Sequence, residues 1–385
     1  MALPRRRLQG THGQDQHRCI ANQDPAATHP GSLAMTISQI ADTSVLLDTA
    51  SPALSLHDVE RMAHDVFGLA GEVRELTGER DRNYHLRHGE AHYVLKVSNP
   101  AEDPQVIDFQ TKALLHIAAV DPGLPVPRLM RTRSGAADWL LEDRDEAPRL
   151  VRVLSFLQGV PMHKVAPGKS LQHDLGLHAA RLDLALRGFF HAGAGHELMW
   201  DLKHANTVRS LLAHIPDPAQ RALAERMLDR FDLYAMPRLG GLRAQVIHND
   251  LNPHNVLVAP DDHGRVVGII DFGDMVHAPM INNLAVAAAY QVSETGHPLE
   301  MAAEMIAAYH RLVPLEPVEL DLLFDLITTR MVLTVAISGW RAARYPENRD
   351  YILRNNLQAW VRLARCDALD RAEAQAYLRQ ACRLE

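Results

Sequence analysis

The chain has 385 residues, enough for two domains or two lobes around a sizeable core. Hydrophobic residues make up 47% and charged residues 23%, as in ordinary globular proteins, and the formal net charge of −7 excludes a basic nucleic-acid-binding surface. No run of about 18 apolar residues occurs, so no membrane span is expected. The three scattered cysteines argue against a disulfide framework and favour a reducing compartment, which indicates a cytoplasmic protein.

The first 34 residues differ in composition from the rest of the chain. Three successive arginines, Arg5 to Arg7, are followed by a polar stretch that lacks the apolar core of a secretory signal. We interpret residues 1–34 as a disordered tail, with Met35 as a candidate start.

Strand-like and helical patterns follow from residue 55 to residue 157. Ser55 predicts a helix N-cap, and the amphipathic pattern after it predicts a helix to residue 67. Short alternating segments predict strands, with one helix inserted after the third of them. The expected strands are 73–76, 83–86, 91–97, 127–131, 138–142 and 150–156, and the inserted helix is 104–119. We therefore expect residues 35–157 to form a lobe built on an antiparallel sheet.

Residues 157–161 interrupt this pattern, and the chain beyond them is mainly helical. The expected helices are 171–191, 218–234, 301–313, 317–342, 349–364 and 371–382. One exception is a predicted hairpin, with strands at 255–258 and 266–270 joined by a turn-rich segment. The chain is thus expected to be an α+β protein with a small sheet lobe and a larger helical lobe, residues 158–385, that carries this hairpin.

The loop before the hairpin has the residues that phosphoryl transfer requires. It reads His248-Asn249-Asp250 and continues to Asn255, and the second hairpin strand leads into Asp271. Transfer to a hydroxyl needs a carboxylate that orients the attacking oxygen and accepts its proton, and it needs oxygen ligands for Mg²⁺. Asp250 is the candidate base, and Asn255 and Asp271 are the candidate metal ligands. An acidic hairpin turn with solvated charges is the alternative.

This constellation resembles the aminoglycoside phosphotransferase family, which shares the two-lobe protein-kinase fold. The segments 248–252, 271–275, 200–203 and 345–351 resemble the hydroxylysine kinase branch of that family more closely. The resemblance covers residues 55–365. It implies a nucleotide-binding first lobe and an acceptor site in the second lobe.

The resemblance also implies roles for residues of the first lobe. Lys96, on the third expected strand, is the counterpart of the phosphate-binding lysine, and Asp108 on the inserted helix is the candidate carboxylate that holds it. An exposed strand lysine is the alternative for Lys96.

The loop 77–83 stands where kinases cover the phosphates of the nucleotide. It has a single glycine, Gly78, and so departs from the glycine-rich pattern. Arg80 and Asn83 are expected to help bind phosphate there, although without its position before the third strand the loop would be an ordinary hairpin turn. Ser155 is expected to line the pocket for the nucleotide base.

In the second lobe, His248 is interpreted as a supporting residue that bonds the backbone near the catalytic loop. The acceptor is expected to be recognised by Asp274 and Asp201, which attract ammonium groups, and by Arg330, whose planar fork suits a carboxylate. Surface ion pairs are the alternative for all three.

We therefore predict a small-molecule kinase that uses Mg²⁺ and GTP or ATP, with 5-hydroxy-L-lysine as the expected acceptor. An aminoglycoside, homoserine or a choline-like alcohol is the alternative acceptor, and a catalytically inactive nucleotide-binding pseudokinase is the alternative of another class. The expected partner is a small-molecule substrate, with no nucleic acid and no membrane. The sequence leaves the oligomeric state open.

Overall fold

The first lobe of the computed structural model is an antiparallel sheet flanked by two helices. The structure describes residues 49, 52–78, 80–142 and 147–383, so the expected tail at 1–34 lies outside the described residues. The strands are β1 (Glu72–Leu76), β2 (Arg82–His88), β3 (Ala91–Val97), β4 (Leu129–Met130), β5 (Trp139–Leu141) and β6 (Arg149–Ser155). They follow the order β1-β2-β3-β6-β4, with β5 also pairing with β6. The expected antiparallel sheet is confirmed.

Local sequence signals set the two helices of this lobe. Helix α1 (Leu56–Phe67) begins at Ser55, whose side chain accepts a bond from the backbone N–H of Asp58, and it ends at Gly68 in the left-handed conformation. Helix α2 (Pro104–Val120) begins after Asp103, which caps the first turn. Both helices start and end within a residue or two of the expected positions.

The two helices of this lobe pack into two different apolar clusters. Helix α1 and the sheet bury one apolar cluster that includes Val59, Leu86 and Val153. Helix α2 contributes Phe109 and Ile117 to the larger cluster of the second lobe. The inserted helix therefore packs against the second lobe as well as lying beside the sheet.

The second lobe is mainly helical, and its described residues also form five short strands in two small sheets. Its helices are α3 (Lys169–Leu186), α4 (Pro218–Arg230), α5 (Met236–Leu239), α6 (Met280–Ala289), α7 (Glu300–Leu312), α8 (Pro317–Arg344), α9 (Arg349–Ile352), α10 (Asn356–Asp367) and α11 (Arg371–Ala381), with 3₁₀ turns between several of them. Its strands are β7 (Val160–Pro161), β8 (Ala244–Ile247), β9 (Val256–Val258), β10 (Val266–Ile269) and β11 (Val276–Pro279).

The strand pairs of this lobe bring two loops together. Strands β9 and β10 form the expected hairpin, and β8 pairs with β11 in antiparallel register, Ile247 opposite Val276. Strand β8 precedes the hairpin in the chain, and β11 follows it. The loop from 248 to 255 and the loop from 270 to 275 therefore leave the sheets side by side, which positions the candidate catalytic residues.

Three differences from the sequence-based expectations have physical causes. Helix α6 was not expected because all ten of its residues are buried, so it has no polar face to give a periodic pattern. Helix α3 ends at Leu186 rather than residue 191, shortly before Gly188 at φ +78°. The expected helix 349–364 is divided into α9 and α10.

No helix among the described residues is long and apolar enough to cross a membrane. The division of the chain at residue 157 into a nucleotide-binding lobe and an acceptor-binding lobe stays a prediction.

Candidate active site

The loop between β8 and β9 holds the candidate base in a strained, buried turn. Asn249 adopts φ +64°, a left-handed conformation that asparagine tolerates better than most residues. Its backbone N–H donates to the side-chain oxygen of Asn283 on α6 at 3.0 Å. Asn283 in turn donates to the carboxylate of Asp183 on α3 at 2.7 Å, and Tyr309 on α7 donates to the same carboxylate at 2.6 Å. Side chains from α3, α6 and α7 thus hold the turn in place.

His248 supports this loop in the way expected. Its Nδ1 accepts a bond from the backbone N–H of Asp250 at 3.2 Å, and its Nε2 lies 3.2 Å from the carbonyl oxygen of Ile270. The first bond requires an unprotonated Nδ1, so Nε2 carries the proton and donates. Burial lowers the pKa of His248 to about 4, which keeps the ring neutral. The histidine thus joins the two loops through backbone bonds.

Asp250 lies in this loop with both carboxylate oxygens engaged. Oδ2 accepts bonds from the side-chain amides of Asn252 at 2.9 Å and Asn255 at 2.7 Å, and Oδ1 accepts one from Arg330 at 3.2 Å. Burial and the charge of Asp274 together raise the pKa of Asp250 to about 7, whereas Arg330 opposes the rise. The bonds fix the direction of the carboxylate, as proton acceptance from a substrate hydroxyl requires.

Asn255 and Asp271 end adjacent strands of the hairpin and fit a divalent metal. The backbone N–H of Ile270 donates to the carbonyl of Asn255 at 2.9 Å, so the two residues stand next to each other. Asn255 points its amide nitrogen at Asp250, which leaves its carbonyl oxygen for a ligand. Within the described ranges there is no group of three or more His, Cys, Asp or Glu side chains suited to a metal. Two hard oxygen ligands suit a metal ion that arrives with a nucleotide, because Mg²⁺ takes one or two protein carboxylates and completes its shell with phosphates and waters.

Lys96 is paired with a residue that the sequence did not indicate. Its Nζ lies 3.3 Å from Oδ2 of Asp81 in the loop 77–83, and both side chains are largely buried. Asp108 instead pairs with Lys112 one turn along α2 at 2.7 Å and with His191 at 3.0 Å. The expected Lys96–Asp108 pair is therefore wrong, because the rotation of α2 turns Asp108 away from the strand.

A second cation lies beside Lys96 on the sheet. Arg152 is opposite Lys96 in the β3–β6 register and is 3% exposed. Its guanidinium donates to the side chains of Thr111 and Gln110 on α2, at 3.2 Å each. Burial opposes the charge of Asp81, yet Lys96 and Arg152 hold its pKa below the ordinary value. Asp81 thus neutralises two neighbouring cations.

The loop 77–83 is tightly packed around Gly78. A side chain on Gly78 would lie 2.3 Å from the carbonyl oxygen of Asp81 and 2.5 Å from the amide of Asn83, so only glycine fits there. Arg80 reaches the other lobe and pairs with Asp274 at 2.5 Å. Burial opposes the charge of Asp274, but Arg80 keeps its pKa below the ordinary value.

These residues line one cavity between the lobes. Its volume is about 110 Å³, and its lining includes Arg80, Asn83, Lys96, Asp250 and Asp271. Small-molecule sites usually measure roughly 300 Å³ or more. The cavity is therefore smaller than a typical small-molecule site, and the Arg80–Asp274 pair lies in its lining.

Ser155 lies at the end of β6, where the first lobe joins the second. Its hydroxyl accepts a bond from the backbone N–H of Arg128 at 2.8 Å, and its own N–H donates to the Arg128 carbonyl. The side chain thus fixes the strand end. A contact with a nucleotide base stays a prediction.

The three expected acceptor residues are already engaged within the protein. Asp201 is fully buried, caps the following 3₁₀ turn and pairs with Lys203 at 3.0 Å. Arg330 is 2% exposed and bonds Asp250 and the carbonyl oxygen of Trp200. The expectation that Arg330 clamps a substrate carboxylate is therefore corrected, because its fork already holds the candidate base. Asp274 does line the central cavity, where Arg80 neutralises it.

Sequence reasoning missed several residues of this site. Asp81 and Arg152 escaped notice because charged residues in a turn and on a strand carry no motif. Asn252 could have been found, because an asparagine two residues after Asp250 is within reach of that carboxylate. The Asp183–Asn283 bond joins residues 100 positions apart and has no local signal.

Comparison with known proteins agrees with this geometry. The family model described as the phosphotransferase enzyme family matches residues 72–319, well over half of the chain. A hydroxylysine kinase of Mus musculus is 26% identical over 339 residues, which are 82% of this chain and 90% of that protein. A homoserine kinase of Methylobacterium radiotolerans is 30% identical over 252 residues, 63% of this chain and 71% of that protein.

A solved structure shares the fold. An amicoumacin kinase in complex with AMP-PNP and Ca²⁺ superposes with a TM-score of 0.61 at 14% identity, covering 83% of this chain and 97% of that one. The expected kinase-like two-lobe α+β fold is thereby confirmed. The chain belongs to the phosphotransferase enzyme family, and it is a kinase that transfers a phosphoryl group from a nucleotide to a hydroxyl group of a small molecule.

Proposed function

We propose that this kinase transfers the γ-phosphoryl group of GTP or ATP to the side-chain hydroxyl of 5-hydroxy-L-lysine. The observation that carries the proposal is the similarity to a hydroxylysine kinase over 82% of this chain and 90% of that relative. It spans both lobes, so it includes the helices around the acceptor side as well as the nucleotide side.

The geometry supports direct transfer without a covalent enzyme intermediate. Asp250 would hold the acceptor hydroxyl in line with the γ-phosphorus and take its proton, while Lys96 would neutralise phosphate oxygens. Mg²⁺ held by Asn255 and Asp271 would supply charge neutralisation at the phosphates. Arg330 favours the ionised form of Asp250 and keeps one of its oxygens in a fixed direction.

Homoserine is the second candidate acceptor. The supporting observation is the 30% identity to a homoserine kinase, although that similarity covers only 63% of this chain. Aminoglycosides and choline-like alcohols are further candidates within the same chemistry. A pseudokinase is disfavoured, because such proteins usually lack a base or a metal ligand, and Lys96, Asp250, Asn255 and Asp271 are all present.

The test is acceptor profiling of the purified protein with Mg²⁺ and each nucleotide, with release of GDP or ADP as the readout. We expect 5-hydroxy-L-lysine to give the highest kcat/KM. Asp250→Ala and Asp271→Ala should each lower that rate by roughly three orders of magnitude or more, with the fold intact by circular dichroism. Turnover of another acceptor in preference to hydroxylysine would refute the proposed substrate, and near-normal rates in either variant would refute the assigned roles.

A further inference from the structure

A second cavity adjoins the catalytic loop on the side of the helical lobe. Its volume is about 640 Å³, within the range of small-molecule sites. Pro253 and His254 of the catalytic loop form part of its wall. Tyr290 forms another part of the wall. It also lies close to Arg330: burial lowers the pKa of the Arg330 guanidinium, whereas Tyr290 and Asp250 raise it. The cavity therefore shares a wall with the residues that hold Asp250.

The polar end of this cavity has one cation and one anion in loose contact. Arg362 on α10 and Glu294, between α6 and α7, lie 3.5 Å apart, and the Arg362 side chain is 21% exposed. Within the described part of the chain, the Nε of Arg362 is buried without a hydrogen-bond partner. A second arginine of the cavity, Arg354, is engaged differently, because it stacks on Tyr351 at 4.0 Å and donates to its carbonyl oxygen.

A buried guanidinium with an unused donor favours an additional anion. Burial lowers the pKa of Arg362 and Glu294 opposes this, so a second carboxylate would stabilise the charged form. Glu294 is half exposed and can accept bonds from an ammonium group at the same time. The lining also includes apolar side chains, among them Met162, Leu171 and Met331. A cation, an anion and apolar side chains in one cavity are complementary to an α-amino acid with a methylene side chain.

We infer that this cavity is the acceptor site and that it selects free α-amino acids, with Arg362 binding the α-carboxylate and Glu294 the α-ammonium. The side chain of the acceptor then extends along the apolar side chains of the lining towards Asp250. This inference rests on the proposed function and assigns the recognition that Asp201, Asp274 and Arg330 do not supply.

The inference separates the candidate acceptors by chemistry. Hydroxylysine and homoserine both carry the α-amino and α-carboxyl groups, whereas choline-like alcohols and aminoglycosides have no carboxylate for Arg362. A longer methylene chain places the hydroxyl further from the clamped end, so hydroxylysine and homoserine would present their hydroxyls at different distances from Arg362.

The experiment measures equilibrium binding by calorimetry in the presence of Mg²⁺ and a non-hydrolysable nucleotide. Two probes are compared, 5-hydroxy-L-lysine and the hydroxylated diamine that remains when its carboxylate is removed. Arg362→Met should weaken binding of the amino acid roughly 10- to 100-fold, the usual loss for a charge-assisted pair, and should leave binding of the diamine unchanged. Arg362→Lys should restore part of the loss. Arg226→Met is the matched control, because Arg226 is exposed and pairs with Asp367 outside this cavity.

The outcomes distinguish the inference from the proposed function. Equal effects of Arg362→Met on the two probes, or no binding of the amino acid by the unaltered protein, would overturn the inference. Carboxylate-dependent binding through Arg362 without any phosphoryl transfer would support it and overturn the proposed function. Transfer to hydroxylysine that is indifferent to Arg362 would leave the proposed function standing and remove the inference.

Discussion

Replacing Asp81 with asparagine should slow catalysis by roughly 10- to 100-fold without weakening nucleotide binding. The carboxylate of Asp81 is the group that holds Lys96, at 3.3 Å, beside the buried Arg152. Asparagine has nearly the same size, so the change removes the charge and leaves the volume of the loop intact.

The magnitude follows from the geometry. With an effective dielectric constant of about 20, two unit charges 3.3 Å apart attract by about 5 kcal/mol before desolvation is counted. Without the carboxylate of Asp81, the like charges of Lys96 and Arg152 repel each other. The Lys96 side chain is then held less firmly in one rotamer. A rate loss of 10- to 100-fold corresponds to about 1.4–2.8 kcal/mol of transition-state stabilisation.

The nucleotide KM should stay unchanged or fall. Lys96 keeps its charge in the variant, and the phosphates no longer compete with the carboxylate for it. The readout is therefore the division of the effect between kcat and KM, measured by steady-state kinetics over a range of nucleotide concentrations.

Asp108→Asn provides the matched control. Asp108 is the carboxylate that the family pattern indicates, but it pairs with Lys112 on its own helix and with His191, not with Lys96. We expect a change of less than about twofold, since exposed pairs contribute little. A large loss in Asp108→Asn together with a normal kcat in Asp81→Asn would refute the reasoning.

Two further predictions concern stability and the phosphate loop. Burial raises the pKa of Asp183 from 3.8 to about 7, so the protonated carboxyl stabilises the fold below about pH 4 and this stabilisation is lost as the pH rises through 7. The free energy of unfolding, measured with urea, should therefore fall by about 4 kcal/mol between about pH 4 and pH 8, and Asp183→Asn should remove that fall. The same fall in the variant would contradict this prediction. Gly78→Ala should raise the nucleotide KM about 10-fold, because the new methyl group lies 2.3 Å from the carbonyl oxygen of Asp81, whereas Gly240→Ala, with open space around it, should not change KM.

The proximity of the residues proposed for phosphoryl transfer could be predicted because they are local in sequence. Asp250, Asn255 and Asp271 lie at the ends of one hairpin, and the strands of that hairpin have clear apolar patterns. The hairpin brings the three residues together whatever the rest of the fold does. The sheet of the first lobe could also be predicted, because its strands alternate and are separated by turn residues.

The partner of Lys96 could not be predicted for a geometric reason. Sequence periodicity gives the existence of α2 but not its rotation about its own axis relative to the sheet. Asp108 and Gln110 are two residues apart and project about 200° apart around the helix axis, so this rotation decides which of them faces the cavity. In the structure Gln110 faces it and bonds Arg152, so the carboxylate for Lys96 comes from the loop instead.

The proposed acceptor site could not be predicted because recognition there depends on tertiary contacts. Arg330 and Asp201 resemble substrate ligands in sequence, since both are charged residues near the catalytic segments. In the structure both are buried and bond other groups of the protein. Arg362 lies in a late helix with an ordinary amphipathic pattern, and only the fold reveals that it lines a cavity next to the catalytic loop.

The charge of the central cavity has a consequence for nucleotide binding. Its lining includes five carboxylates, those of Asp81, Glu102, Asp250, Asp271 and Asp274, and three basic side chains. Such a lining repels a nucleoside triphosphate on its own, and two of the basic residues are already neutralised by Asp81 and Asp274. Divalent cations reverse this balance, because they bind the acidic residues and the phosphates together. Phosphates that replaced Asp274 as the partner of Arg80 would favour opening of the Arg80–Asp274 contact, so we expect metal and nucleotide binding to depend on each other through these charges.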